Sequence, residues 1–234
     1  MPYAIVTGGT QGIGKAIAEK LLSEGYSVAV CARNKNKIAS LSAEWSEKYP
    51  ERTFLAECCD LSQKDEVNAF ADNVLAVFPA IDLLVNNAGT YLPGELADEP
   101  DGMLETMIGA NLFSAYFLSR RIIPGMKERK SGHIFNMCSV ASLRAYPHGG
   151  AYSIAKYALL GFTENLREEL RNWTIKVTAV CPGATFTPSW EGSDIPAGRI
   201  MEPEDVAAMV WAASNLSAAA NVDTLVLRPV KGDL

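Results

Sequence analysis

Histidine is nearly missing: of 234 residues only His133 and His148 carry an imidazole, so a His-rich metal site has no material. The five cysteines, Cys31, Cys58, Cys59, Cys138 and Cys181, form no C-x-x-C pair. An odd count in scattered apolar contexts reads as reduced, mostly buried thiols, and so points to the cytoplasm. Positive charge is short as well, with 21 Lys and Arg against 27 Asp and Glu and a net charge of −6. That balance excludes a basic patch for nucleic acid or an anionic membrane. The longest uncharged stretch, residues 206–222, is broken by Ser214, Asn215, Ser217 and Asn221. It reads as a buried helix plus loop rather than a membrane span. The start, Met1-Pro2-Tyr3 followed by AIV, does not resemble a signal peptide. With no linker, repeat or low-complexity segment, one domain over 1–234 is expected.

What the chain does have is alternation. YAIVTG, YSVAVCAR, RTFLAECCD, IDLLVNNAG, HIFNMCS, TIKVTAVCPG and DTLVLRP are short, β-branched apolar runs. Between them lie amphipathic stretches, such as the one with Ile13, Ile17, Leu21 and Leu22 on one face before Gly25. Further helices are expected over residues 103–123, over about 150–172, and from about Glu202 onward. This order predicts an α/β domain, a doubly wound parallel sheet covered on both faces.

TGGTQGIG, residues 7–14, follows the first strand and opens the first helix. Its glycines at 8, 12 and 14 permit a tight turn and close backbone approach to a pyrophosphate. The helix start adds free N–H groups and a positive dipole end. The spacing G-x-x-x-G-x-G differs from the common G-x-G-x-x-G fingerprint. After the second strand comes CARN, where many NAD-binding domains carry an acid for the ribose 2′-hydroxyl. Here Arg33 stands instead, either as a partner for a 2′-phosphate or as a solvated strand-end arginine. NADP(H) is therefore expected over NAD(H).

Tyr152 and Lys156 share a helix face at four residues' separation, and Ser139 precedes the tyrosine by thirteen. A free phenol titrates near pH 10, too high for efficient proton exchange at neutrality, and a neighbouring ammonium is expected to lower it. Ser139 is placed to hydrogen-bond a substrate oxygen, and Asn111 sits in an apolar helix where its amide must find partners. Taken singly, the Y-x-x-x-K pair is an ordinary helix feature, Ser139 a strand end and Asn111 a core amide.

Together these residues resemble the short-chain dehydrogenase/reductase family over nearly the whole chain. TGGTQGIG matches its cofactor loop, carried here by Gly8, Thr10, Gln11, Gly12, Ile13 and Gly14. Asp60 and Leu61 in CDLS match its adenine-contacting segment, and Asn86-Asn87-Ala88-Gly89 its NNAG motif. Asn111, Ser139, Tyr152 and Lys156 match its catalytic tetrad, and Pro182, Gly183, Thr185 and Thr187 its nicotinamide carboxamide segment. The resemblance implies a Rossmann-type fold and hydride transfer between a nicotinamide and a carbonyl or alcohol of a small organic substrate. Tyr152 would be the general acid and base, with Lys156 on the nicotinamide ribose and Ser139 on the substrate oxygen. Asn111 would hold a helix irregularity and a relaying water. The resemblance also implies a homodimer or homotetramer, through the helices holding residues 103–123 and Tyr152. A 3-oxoacyl thioester or pterin-like C=N reductase, or a non-catalytic NADP(H)-binding sensor, are the alternatives.

The chain departs from the family at its end, where TLVLRPVKGDL has Pro229 and Gly232 in place of a D-G-G-like turn. Its expected substrate loop, about residues 184–203, is short. Trp190 either covers the substrate or anchors that loop, and Tyr91, Tyr146 and His148 are candidate pocket walls. Arg144 and Arg199 are too few to form a docking patch for an acyl-carrier protein.

Overall fold

A strand buried on both faces needs apolar side chains at every position, and the central runs supply them. The computed structural model describes residues 1–190, 192, 194–196 and 198–233. In it seven strands form one parallel sheet in the order β3-β2-β1-β4-β5-β6-β7. They are β1 (Tyr3–Thr7), β2 (Ser27–Ala32), β3 (Phe54–Cys58), β4 (Leu83–Asn86), β5 (Gly132–Met137), β6 (Ile175–Pro182) and β7 (Thr224–Leu227). The helices are α1 (Gly12–Ser23), α2 (Lys35–Lys48), α3 (Lys64–Val77), α4 (Met103–Ile108), α5 (Ser114–Arg129), α6 (Gly150–Leu170) and α7 (Pro203–Ser214).

Successive residues of each strand serve opposite faces. Ala4, Val6, Val28, Val30, Leu83 and Val85 pack with Ile17, Leu21, Trp45 and Val210 of α1, α2 and α7. Ile5, Ala29, Cys31, Leu84, Ile134 and Val177 pack with Phe70, Val74, Leu118, Ile122 and Leu166 of α3, α5 and α6. The result is a Rossmann-like doubly wound domain. Residues 206–222 form α7 and the loop after it, and no described helix is long and apolar enough to cross a membrane.

The helix expected over residues 103–123 differs in two ways. A five-residue π-turn, Gly109–Phe113, separates α4 from α5, and α5 runs past Pro124 to Arg129. Burial of Met126 against the sheet carries the last turn beyond the proline. The cysteines are free; four are buried as expected, while Cys58 is exposed at the end of β3.

Candidate active site

The chain winds outward from β1 to β3, then returns to place β4 on the other side of β1. Beyond the carboxyl ends of the strands at such a switch point lies the natural crevice of an open α/β sheet. Here Thr7 and Asn87 stitch its floor. Thr7 Oγ1 accepts from the amides of Asn87 and Ala88, each at 2.9 Å, and Asn87 Nδ2 donates to Thr7 O at 2.8 Å. No local pattern marks Thr7 beyond the motif it opens. Below them Asn86 Nδ2 donates to Ser119 Oγ and to Asn136 Oδ1, tying β4 to α5 and β5.

A groove of about 750 Å³ runs across this edge. Gly8, Thr10, Gln11, Gly12, Ile13, Gly14, Arg33, Asp60, Leu61, Asn87, Ala88, Gly89 and Thr187 all line it. Gly8 and Gly12 hold φ of 66° and 52°, which a side chain would strain, so the loop depends on glycine there. The N-cap of α1, Gln11, makes no side-chain capping bond, so the amides of the first turn remain available to a ligand. A Cβ on Gly14 would collide with Asn87 Nδ2 and Gly8 O. These are the features of a pyrophosphate cradle.

At one end Arg33 is exposed and makes no ion pair among the described residues. Lys37, which the sequence did not single out, joins it there and donates to Gln11 Oε1. Asn34 caps α2 by accepting from Lys37 N at 3.0 Å, which fixes the turn bearing both cations. Asp60 turns its carboxylate onto the amide and hydroxyl of Ser62 at 3.0 and 2.8 Å, so it shapes the loop before α3 rather than capping that helix.

None of the four expected catalytic residues lines the groove itself, but Asn111 and Lys156 stand behind Gly89 at its other end. A Cβ on Gly89 would lie 2.6 Å from Asn111 Oδ1 and 3.4 Å from Lys156 Nζ, so only glycine lets the groove reach them. Asn111 is buried in the π-turn, where Nδ2 donates to Met107 O and Thr90 O, both at 3.0 Å, and Oδ1 accepts from Thr90 N at 3.3 Å. Ser139 caps a short 3-10 turn, its Oγ accepting from Ala141 N at 3.1 Å. Lys156, buried in α6, donates to Met137 O at 2.8 Å and stands 5.7 Å from the Tyr152 ring centroid.

Electrostatics here differ from the sequence expectation. Burial pushes the Tyr152 phenol up to about 12; its hydrogen bond with Ser139 pulls the other way, while Tyr91 and Cys138 raise it. Burial also lowers the Lys156 ammonium to about 8. Desolvation of both groups thus outweighs the attraction invoked for the pair. Tyr91 packs edge-on to Tyr152 at 4.9 Å, and burial together with the neighbouring Tyr91 and Tyr152 phenols raises the Tyr146 hydroxyl, so both phenols stand beside the tyrosine. His148 instead pairs with Glu95 at 2.7 Å and is exposed.

Pro182, Gly183 and Thr185 do not line the groove. Gly183 N donates to Leu227 O at 2.8 Å, and Thr185 is buried with its hydroxyl on Gly183 O. The expected loop 184–203 is pinned at its base by the Thr185–Met201 bridge; its residues 191, 193 and 197 lie outside the described residues. Trp190 N donates to Thr187 O at 2.9 Å. The atypical tail is clasped: Asp233 accepts from Arg144 and Arg228, both at 2.7 Å, and Arg199 donates to the Gly232 and Asp233 carbonyls.

A Rossmann-like sheet with a glycine cradle at its switch point, with half-buried Tyr152 and buried Lys156 on α6 beyond Gly89, has the features of a dinucleotide-using oxidoreductase scaffold. A family profile described as short chain dehydrogenase matches residues 2–195, and the chain belongs to that family of oxidoreductases. It is 30% identical to an uncharacterized oxidoreductase of Staphylococcus epidermidis, over 97% of this chain and 96% of the relative. It is 33% identical to a putative ketoacyl reductase of Streptomyces coelicolor, over 88% and 87% of the two chains. Among solved structures, an alcohol dehydrogenase from the archaeon Thermococcus sibiricus, complexed with 5-hydroxy-NADP, superposes with a TM-score of 0.91 at 26% identity, covering 100% of this chain and 99% of its own.

Proposed function

We propose that the protein is an NADP(H)-dependent oxidoreductase acting on a carbonyl or alcohol of a small organic molecule. One observation carries the reading: a single groove runs from Arg33, which makes no ion pair among the described residues, to Gly89, directly behind which stand Asn111 and Lys156. The NADP derivative in the archaeal relative supports the same cofactor class. When bound, NADPH supplies a hydride from its nicotinamide. The chain's residues do the rest. Tyr152 protonates the carbonyl oxygen in reduction and takes the hydroxyl proton in oxidation. Ser139 holds that oxygen and stabilises its developing charge. Lys156 donates to the nicotinamide ribose hydroxyls. Asn111 keeps the π-turn open and holds a water that passes protons from Lys156. Arg33 pairs with the 2′-phosphate, while Asp60 and Leu61 flank the adenine. Thr187, which lines the groove, would receive the carboxamide, with Pro182, Gly183 and Thr185 holding its segment from behind, and residues 184–203 form the substrate loop.

The Tyr152→Phe variant should lose turnover at least about a hundredfold on a panel of carbonyls and alcohols followed by NADPH absorbance. Its NADPH affinity, read by fluorescence, should stay near parental. Free turnover by this variant would remove the assigned acid. In parallel, Arg33→Ala should weaken NADPH relative to NADH by about tenfold or more; equal use of both cofactors by the parent would sink the NADP assignment.

The ketoacyl reductase relative favours a second reading, 3-oxoacyl thioester reduction. Against it, Arg144 and Arg228 are already committed to Asp233, leaving them poorly placed for an acidic carrier protein.

Exposed Phe113, Tyr116, Ile154 and Tyr157 on the π-turn, α5 and α6 support a homodimer or homotetramer through these helices. Light scattering at micromolar concentration should give at least a dimer mass, and a monomer would overturn this. The four buried thiols support a reducing compartment, the cytoplasm.

A further inference from the structure

The first turn of α6 must present Tyr152 at a fixed angle, yet its N-cap, Gly149, has no side chain to secure it. The amides of a helix's first turn lack intrahelical partners and need outside acceptors. Glu99, on the loop after β4, supplies one across 52 residues of sequence: its Oε1 and Oε2 accept from Ala151 N at 2.9 and 3.3 Å. Ala151 is fully buried and immediately precedes Tyr152.

The same loop is fastened to the segment before α6 at two further points. Gly94 bridges Gly149 and its amide donates to His148 O at 3.1 Å, while Glu95 pairs with the His148 ring at 2.7 Å. His148 is held at a φ of 59°, a costly conformation for a side-chain-bearing residue. Gly150, at a φ of 43°, is the residue a Cβ would drive into Glu99 Oε1 and Gly94 O. Positive φ at His148 and Gly150, on either side of Gly149, thus bends the chain so that the helix opens directly onto the Glu99 carboxylate. A carboxylate there also opposes the positive end of the helix dipole. Tyr91, at the near end of the same loop, packs against the Tyr152 ring.

We propose that Glu99 is a positioning residue for Tyr152: it clamps the start of α6 to the loop after β4 and so fixes the phenol relative to the groove. The proposal rests on Tyr152 being the proton carrier of the reaction proposed above. Because Glu99 acts on the Ala151 amide next to Tyr152 and not on the glycine cradle, the clamp governs the chemical step rather than cofactor affinity.

Three variants test it: Glu99→Ala, Glu99→Gln, which keeps an acceptor oxygen, and Gly150→Ala, which obstructs the clamp. The Glu99→Ala and Gly150→Ala proteins should lose kcat by about tenfold or more, as expected for an angstrom-scale misplacement, with KM for NADPH within about twofold. The Glu99→Gln protein should recover most of the kcat. Amide hydrogen exchange over residues 148–156 should quicken in Glu99→Ala and not in Glu99→Gln, with the remaining amides unchanged. Parental kcat in Glu99→Ala would overturn the proposal. So would a loss of kcat matched by equal losses of NADPH affinity and unfolding stability. A parent that turns over no carbonyl or alcohol would defeat the proposed reaction instead. Exchange then decides the clamp by itself: selective opening of 148–156 supports it, and unchanged exchange overturns it.

Discussion

Lys156 is the residue on which stability and chemistry pull apart. Burial lowers its ammonium to about 8, against an ordinary 10.5. Between those values the unfolded chain holds a proton that the folded chain has released, so this residue's contribution to stability rises with pH across the window. At neutral pH it is a cost. Lys156→Met should therefore raise the melting temperature by about 2 °C or more while abolishing turnover. The same group sets the alkaline behaviour of the parent. Burial pushes the Tyr152 phenol up to about 12, so the proposed proton donor is not the limiting group in reduction. Reductive kcat/KM should fall as pH rises through about 8, where Lys156 loses its charge, and a limb placed near 10 or above would contradict this. Sequence spacing put the two residues on one helix face. It carried no information on how deeply each would be desolvated, which is why the direction of the tyrosine shift was misjudged.

Among the elements, the π-turn between α4 and α5 is the one whose cause can be assigned to a single side chain. Asn111 satisfies both polar groups of Thr90 and the freed carbonyl of Met107. Its removal leaves these groups with poorer partners in a buried place. Asn111→Ala should cost about 2 kcal/mol in urea unfolding. The exposed Thr106→Ala, which loses only a bond to Gly102 O, should cost less than about 0.5 kcal/mol. The apolar period over residues 103–123 reads as one helix because inserting a residue in a turn leaves the flanking stripes apolar. The partner that stabilises the insertion lies 21 residues away, where no local pattern could announce it. Lys37 and Glu99 escaped notice for the same reason. Each acts on a segment remote in sequence, Lys37 at Gln11 and Glu99 at Ala151. Gly8 and Gly12, whose signals are local, were legible.

For the molecule as a whole, the sheet was the most readable feature, since strands buried on both faces leave continuous apolar runs between amphipathic helices. One polar residue inside that sheet governs its acid tolerance. His133 is bonded through Nε2 to Thr178 Oγ1 at 2.8 Å and stacked on Phe135 at 3.9 Å. Burial, with help from Lys176, lowers its imidazolium to about 3. Below its unfolded value of 6.5 the unfolded chain binds a proton that the folded chain refuses, so stability drains as pH falls toward 3. From about pH 6 to 4.5, where carboxylates contribute little, this group should remove about 1.4 kcal/mol per pH unit. Denaturant titrations should show that slope in the parent and a shallower one in His133→Gln.

Cys58 stands apart from the other thiols, exposed at the end of β3 with its Sγ donating to Arg33 O at 3.3 Å. With the remaining four buried, an environment-sensitive maleimide dye should label the unaltered chain first at this position. That position adjoins the arginine assigned to the 2′-phosphate. The protein thus carries its own attachment point for an optical titration, with no substrate needed, in which the proposed Arg33 role should make emission respond differently to phosphorylated and unphosphorylated dinucleotides.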